Sequence, residues 1–105
     1  MHFTSFLQDG RLTVALTGEI DHHFAKRCID QIVAKIESYM PRECVLDFED
    51  VSFMDSSGIA VVINAMRYMT RIQGHLSLSG VREQPRKVFQ ASGIDKLVEI
   101  KEEVF

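Results

Sequence analysis

Three kinds of hydrophobic spacing follow one another along the chain. Residues 2–7 form a short apolar stretch, and Gln8-Asp9-Gly10 then supplies the Asp-Gly signature of a hairpin turn. Beyond it Leu12, Val14 and Leu16 alternate with Thr13, Ala15 and Thr17, the period of a strand with one buried face. The two strands should pair antiparallel, with Gly18 breaking the second. From Asp21 the period lengthens. Phe24, Cys28, Ile32, Ile36 and Met40 recur every four residues, and Ile29 and Val33 widen the stripe. That spacing predicts a helix capped by Asp21 and ended by Pro41.

Cys44-Val45-Leu46-Asp47-Phe48 is mostly apolar, as expected of a strand covered on both faces. Ile59, Val62, Ile63, Met66, Met69 and Ile72 predict a second helix ending near Gly74. Leu76-Ser77-Leu78-Ser79 alternates as a fourth strand. Pro85 suits the first turn of a third helix, with Val88, Phe89 and Ala91 as its apolar face and Gly93 as its C-cap. Val98 and Ile100 form either a short last strand or a segment packed over the final helix. The expected fold is α/β: a mixed, mainly parallel sheet of four to five strands, with an N-terminal antiparallel strand and three or more covering helices. In such a sheet the loops at the carboxyl ends of the parallel strands gather on one edge. The segments 18–23 and 49–58 are expected to be two of them.

The chain has 105 residues, 46% hydrophobic and 26% charged, which fits one ordinary globular domain over residues 1–105. Its formal net charge of −3 argues against a direct nucleic-acid binder. Arg82, Arg86 and Lys87 are interleaved with Glu83 and read as one solvated helix face. Cys28 and Cys44 lie in apolar patterns and read as core residues. No run is long enough to cross a membrane, and the N-terminus lacks the pattern of a signal peptide, so a cytoplasmic protein is expected.

Candidate chemistry concentrates in Asp55-Ser56-Ser57-Gly58. A serine-hydrolase elbow needs glycine before the nucleophile, but Phe53 and Met54 stand there. A Walker phosphate loop needs Gly-Lys-Ser/Thr, which is missing. What remains is a helix N-terminus, whose unpartnered N–H groups suit both a cap and a phosphate. The residue types alone leave a capping motif and a phosphorylation site equally open. Asp21-His22-His23 forms a second polar cluster. Its adjacent imidazoles lack the helical spacing of metal ligands, and His2 and His75 do not complete a set, so no metal site is expected. Met54, Met66 and Met69 read as core filling.

Taken together, Leu16-Thr17-Gly18-Glu19-Ile20-Asp21-His22-His23 and Phe48-Glu49-Asp50-Val51-Ser52-Phe53-Met54-Asp55-Ser56-Ser57-Gly58 resemble the anti-sigma factor antagonists. These are small bacterial regulators built from a single STAS domain. The resemblance runs over nearly the whole chain and includes Gln90-Ala91-Ser92-Gly93-Ile94. The sporulation branch shares both the Asp-His-His triplet and Phe-Met-Asp-Ser-Ser-Gly. It implies a partner switch: the unphosphorylated antagonist binds an anti-sigma factor that is also a serine kinase and frees the sigma factor. That kinase, using ATP and magnesium, phosphorylates the antagonist and ejects it, and a serine phosphatase restores it.

The family's phosphorylated serine follows the aspartate and maps onto Ser56. Asp21, His22, Asp55, Ser56, Ser57 and Gly58 are the implied partner-binding residues. The antagonist would be the substrate and not a catalyst, with no cofactor and a monomeric free state. Two other classes stay open on the residues alone. One is a non-switching module that binds a protein or nucleotide while Ser56 only caps its helix. The other is an enzyme, either a hydrolase pairing Ser56 with His22 or a metal-dependent one. Sporulation control and general stress control share the domain.

Overall fold

Asp9 and Gly10 both take positive φ, 54° and 79°, as a two-residue hairpin turn requires, and fold the first strand back on the second. The structure is a computed structural model that describes residues 2–102. Its elements are β1 (His2–Gln8), β2 (Arg11–Ile20), α1 (His22–Tyr39), β3 (Glu43–Met54), α2 (Ser57–Arg71), β4 (His75–Ser79), α3 (Glu83–Ser92), a 3₁₀ turn (Ile94–Lys96) and β5 (Glu99–Lys101). The five strands lie in the order β1-β2-β3-β4-β5, with β1 antiparallel to β2 and every later pair parallel. Glu99–Lys101 thus forms an edge strand, while Val98 lies just before it and packs into the core.

Each parallel connection steps to the adjacent strand in the same direction. Right-handed crossovers of that kind put every connecting helix on one side of the sheet. The burial pattern follows: Leu12, Val14, Leu16, Cys44, Leu46, Leu76 and Leu78 share one core with Phe24, Cys28, Ile32 and Ile36 of α1, Val61, Val62, Ala65 and Met69 of α2, and Phe89 of α3. Phe48 meets Phe89 edge-on, with centroids 5.4 Å apart, and so seats α3 on β3. Such a pair contributes about 0.5–1.5 kcal/mol beyond its burial. Among the described residues no helix is long and apolar enough to cross a membrane.

The structure corrects several expectations. β3 is not covered by helices on both faces, because Val45 and Asp47 alternate with the core residues and point away from the helical layer. β2 does not stop at Gly18. That residue takes φ 106° between two register shifts, and the strand continues to Ile20. Residues 49–54 are strand and not loop. The shifts against β2 leave Phe48, Val51 and Met54 inward at a spacing of three, which hid the strand period. Met40 lies outside the α1 stripe: it is a left-handed C-cap, φ 46°, and 63% exposed. On α2 the buried face is centred on Gly58, Val61, Val62, Ala65 and Met69, so Ile59, Ile63 and Met66 lie at its margins. Ala91 of α3 is exposed. At the start of α3, Arg82, Glu83 and Lys87 are exposed as a solvated face requires, but Arg82 also donates to the Glu49 carbonyl at 2.6 Å and the partly buried Arg86 pairs with Glu102.

Both cysteines are free and buried, and burial pushes Cys28 up to about 11 and Cys44 up to about 12. A thiol reagent at pH 8 should therefore leave the folded protein unlabelled and label both residues in denaturant. Rapid labelling of the native protein would contradict this packing.

Candidate functional site

Past the end of β4, β2 and β3 stay paired at Thr17 with Asp50, and beyond the last β1 partner they run on as a two-strand ribbon, Gly18 with Val51, Glu19 with Phe53 and Ile20 with Met54. The ribbon ends where the Asp55 N–H donates to the Ile20 carbonyl at 3.1 Å. Helices α1 and α2 consequently start side by side, and the two polar clusters of the sequence meet on one edge. On the first, Asp21 caps α1: its backbone is extended and its Oδ1 accepts the Phe24 N–H at 2.8 Å. His22 and His23 follow, both exposed, with their rings edge-on at 5.8 Å.

On the second, the two serines differ. Asp55 Oδ1 accepts both the Ser57 N–H, at 2.8 Å, and the Ser57 hydroxyl. The Ser57 hydroxyl hydrogen bond is the main cause that holds the Asp55 carboxyl below its ordinary range, followed by the Ser57 N–H, with the nearby His22 adding a smaller contribution. Ser56 stands at the N-cap position in helical conformation, φ −64°, and its side chain makes no capping bond. It is exposed, whereas Ser57 is partly buried. Asp55 does the capping, so the Ser56 hydroxyl is left free at the positive end of a 15-residue helix.

Gly58 lies beneath this surface. A Cβ there would run into Sδ and Cγ of Met54, a side chain that is itself fully buried. The glycine lets the first turn of α2 sit directly on the end of β3.

Two contacts have no signature in the sequence. Gln84, on the first turn of α3, accepts the Met54 N–H at 2.8 Å and donates to the Met54 carbonyl at 2.9 Å. A shallow groove of about 510 Å³ also runs from Ser56 between α2 and α3, lined by Ile59, Gln84, Lys87, Val88 and Ala91. Among the described residues no group of three or more His, Cys, Asp or Glu side chains could hold a metal ion.

The STAS domain family model matches residues 7–104. The chain belongs to the STAS domain family. An anti-sigma F factor antagonist of Lysinibacillus sphaericus is 34% identical over 95 residues, which cover 90% of this chain and 81% of that protein. An anti-sigma-B factor antagonist of Listeria monocytogenes is 28% identical over 93 residues, covering 86% and 78%. Among solved structures, the anti-sigma factor antagonist SpoIIAA in its unphosphorylated form matches at TM-score 0.84 and 30% identity, over 97% of this chain and 90% of that one. The Bacillus cell fate determinant SpoIIAA in the phosphorylated form matches at TM-score 0.75 and 30% identity, covering 97% and 93%. The five-stranded mixed sheet with three helices is thus the STAS fold, and the chain is a member of the anti-sigma factor antagonists.

In this STAS domain the Asp55–Ser57 bond should be visible by titration. A carboxylate held below its ordinary range contributes stability that is present above about pH 4, the unfolded aspartate value, and is lost as pH falls through the lower folded value. A carboxyl ¹³C NMR titration should show Asp55 below the other exposed aspartates, and Ser57→Ala should move it back up. An unshifted Asp55 in the parent protein would contradict the capping arrangement. Gly58→Ala should lower stability by roughly 1–3 kcal/mol in urea melts, because the added methyl overpacks Met54. A change within 0.5 kcal/mol would show that Met54 relaxes freely.

Proposed function

We propose that this STAS domain is an anti-sigma factor antagonist switched by phosphorylation of Ser56. Its unphosphorylated form binds an anti-sigma factor that is also a serine kinase and frees the sigma factor held there. The kinase, with magnesium and ATP, then modifies Ser56 and ejects the antagonist, and a serine phosphatase resets it. The observation that carries this reading is the contrast between the serines: Ser57 is tied to Asp55, while Ser56 is exposed with no capping bond. The chain presents an acceptor hydroxyl and has no use for it in its own fold.

The electrostatics support ejection without refolding. A phosphoserine carries about −1.5 to −2 charges at neutral pH. At the start of α2 the helix dipole and unpaired N–H groups tolerate that charge. The exposed carboxylates of Asp55 and Asp21 belong to the same edge, so the surface turns strongly negative. A partner that accepts a neutral hydroxyl then meets unpaired charge across the interface. The same fold matches SpoIIAA in both its unphosphorylated and its phosphorylated form, which fits a switch that acts at the surface. Asp21, His22, Asp55, Ser56 and Ser57 form the contact edge, and Gly58 shapes it from below. The sigma factor is of the sporulation type on this reading, supported by two relatives named anti-sigma F factor antagonist, 34% and 29% identical, beside 28% for an anti-sigma-B factor antagonist.

Ser56→Ala should bind the anti-sigma factor within about threefold of the parent protein and resist release when ATP is added, because it removes only an exposed oxygen. Ser56→Asp should bind on the order of tenfold more weakly or worse. Calorimetry and a competition assay with labelled sigma factor measure both. Release of the Ser56→Ala complex by ATP would overturn the assignment.

A further inference from the structure

Strand β4 pairs with β3 only from Glu43↔His75 to Asp47↔Ser79, although β3 runs on to Met54. The last stretch of β3 therefore has β2 on one flank and no strand on the other. Backbone groups in that position need other partners. The chain entering α3 provides them at both ends: Arg82 Nε donates to the Glu49 carbonyl, and the Gln84 amide takes both polar groups of Met54. Gln84 thus stands in for the missing strand at the last residue before the phosphoacceptor motif.

We infer that Gln84 is the positioning residue for phosphoryl transfer to Ser56, acting by locking the peptide plane that joins Met54 to Asp55. The inference rests on Ser56 being the modified residue. That plane is held at both ends: Gln84 Nε2 donates to its carbonyl at 2.9 Å, and its N–H donates to the Ile20 carbonyl at 3.1 Å. With both bonds in place the plane cannot rotate about the chain axis. Asp55 then leaves β3 in one direction, caps α2 through Ser57, and sets where the Ser56 hydroxyl stands.

Without the Gln84 half, only the Ile20 bond restrains the plane, and the start of α2 gains a rocking motion. Phosphoryl transfer draws most of its acceleration from positioning and electrostatics, so a displaced acceptor oxygen slows the chemical step more than it weakens docking. Gln84 is only partly buried and belongs to no core cluster, so its loss should leave the rest of the fold in place.

The test substitutes Gln84→Leu, which keeps the bulk and removes both hydrogen bonds. The variant is assayed with magnesium-ATP and a serine-kinase anti-sigma factor, beside the parent protein. Amide hydrogen exchange is followed in the same samples. The expected result is a fall in kcat on the order of tenfold or more with KM changed less than about threefold. The Met54 amide should exchange at least about tenfold faster, while those of Ile32 and Val62 keep their protection. Parent-like kcat would overturn the inference, whatever the Met54 amide does. A general loss of protection including Ile32 and Val62, or failure to fold, would also overturn it, by showing Gln84 to be structural. If the parent protein is itself not phosphorylated on Ser56, the reading of the switch fails and this inference falls with it.

Discussion

The parallel pairing of β2 with β3 is the constraint on which the rest of this molecule depends. It runs from Arg11↔Glu43 to Ile20↔Met54, well past the last partner that β4 offers. By carrying the ribbon on through two register shifts, it brings the starts of α1 and α2 to one place on the edge of the sheet. It also ends in a hydrogen bond, Asp55 N–H to the Ile20 carbonyl, that ties the two polar clusters directly. Everything proposed for Ser56 uses that juxtaposition. The sequential strand order adds a second consequence, since all three helices pack on one face and one shared core supports both ends of the site.

On that platform a single carboxylate divides the labour between two adjacent serines. A helix start needs an acceptor for its first N–H groups, and any nearby hydroxyl could supply one. Asp55 takes that role and engages both the amide and the hydroxyl of Ser57. Ser56 is thereby released from structural duty while staying at the favourable end of the helix for an anion. Capping by Asp55 and the switch proposed for Ser56 are compatible because they call on different side chains. The same logic explains why a phosphate would alter a surface and leave the fold alone.

Much of this was legible in the sequence, for physical reasons. The hairpin, the order of elements, the Asp21 cap and the Gly93 C-cap all rest on local chemistry, so spacing and residue type reveal them. The reach of β3 was not legible, because its bulged register spaces Phe48, Val51 and Met54 by three and puts Glu49, Asp50, Ser52 and Phe53 outside. The exact face of α2 was obscured for a related reason. Its apolar residues exceed what the core can cover, so Ile59, Ile63 and Met66 compete with Val61 and Ala65 in any helical wheel. Residue types alone left the two serines equivalent, and only the family resemblance singled out Ser56. The physical difference between them appears when the direction of the Asp55 side chain is seen. Gln84 carried no signal at all, being a polar residue on a short helix that reaches the backbone of a strand 30 positions away.

The central claim is that the chain offers Ser56, and not its neighbour, to a kinase. The most direct test is to map the phosphate by tandem mass spectrometry through a time course with a serine-kinase anti-sigma factor and magnesium-ATP. The account predicts one phosphate per chain, on Ser56 from the earliest time point, with Ser57 unmodified because its hydroxyl is held by Asp55. Phosphate on Ser57, or on neither serine, would contradict it.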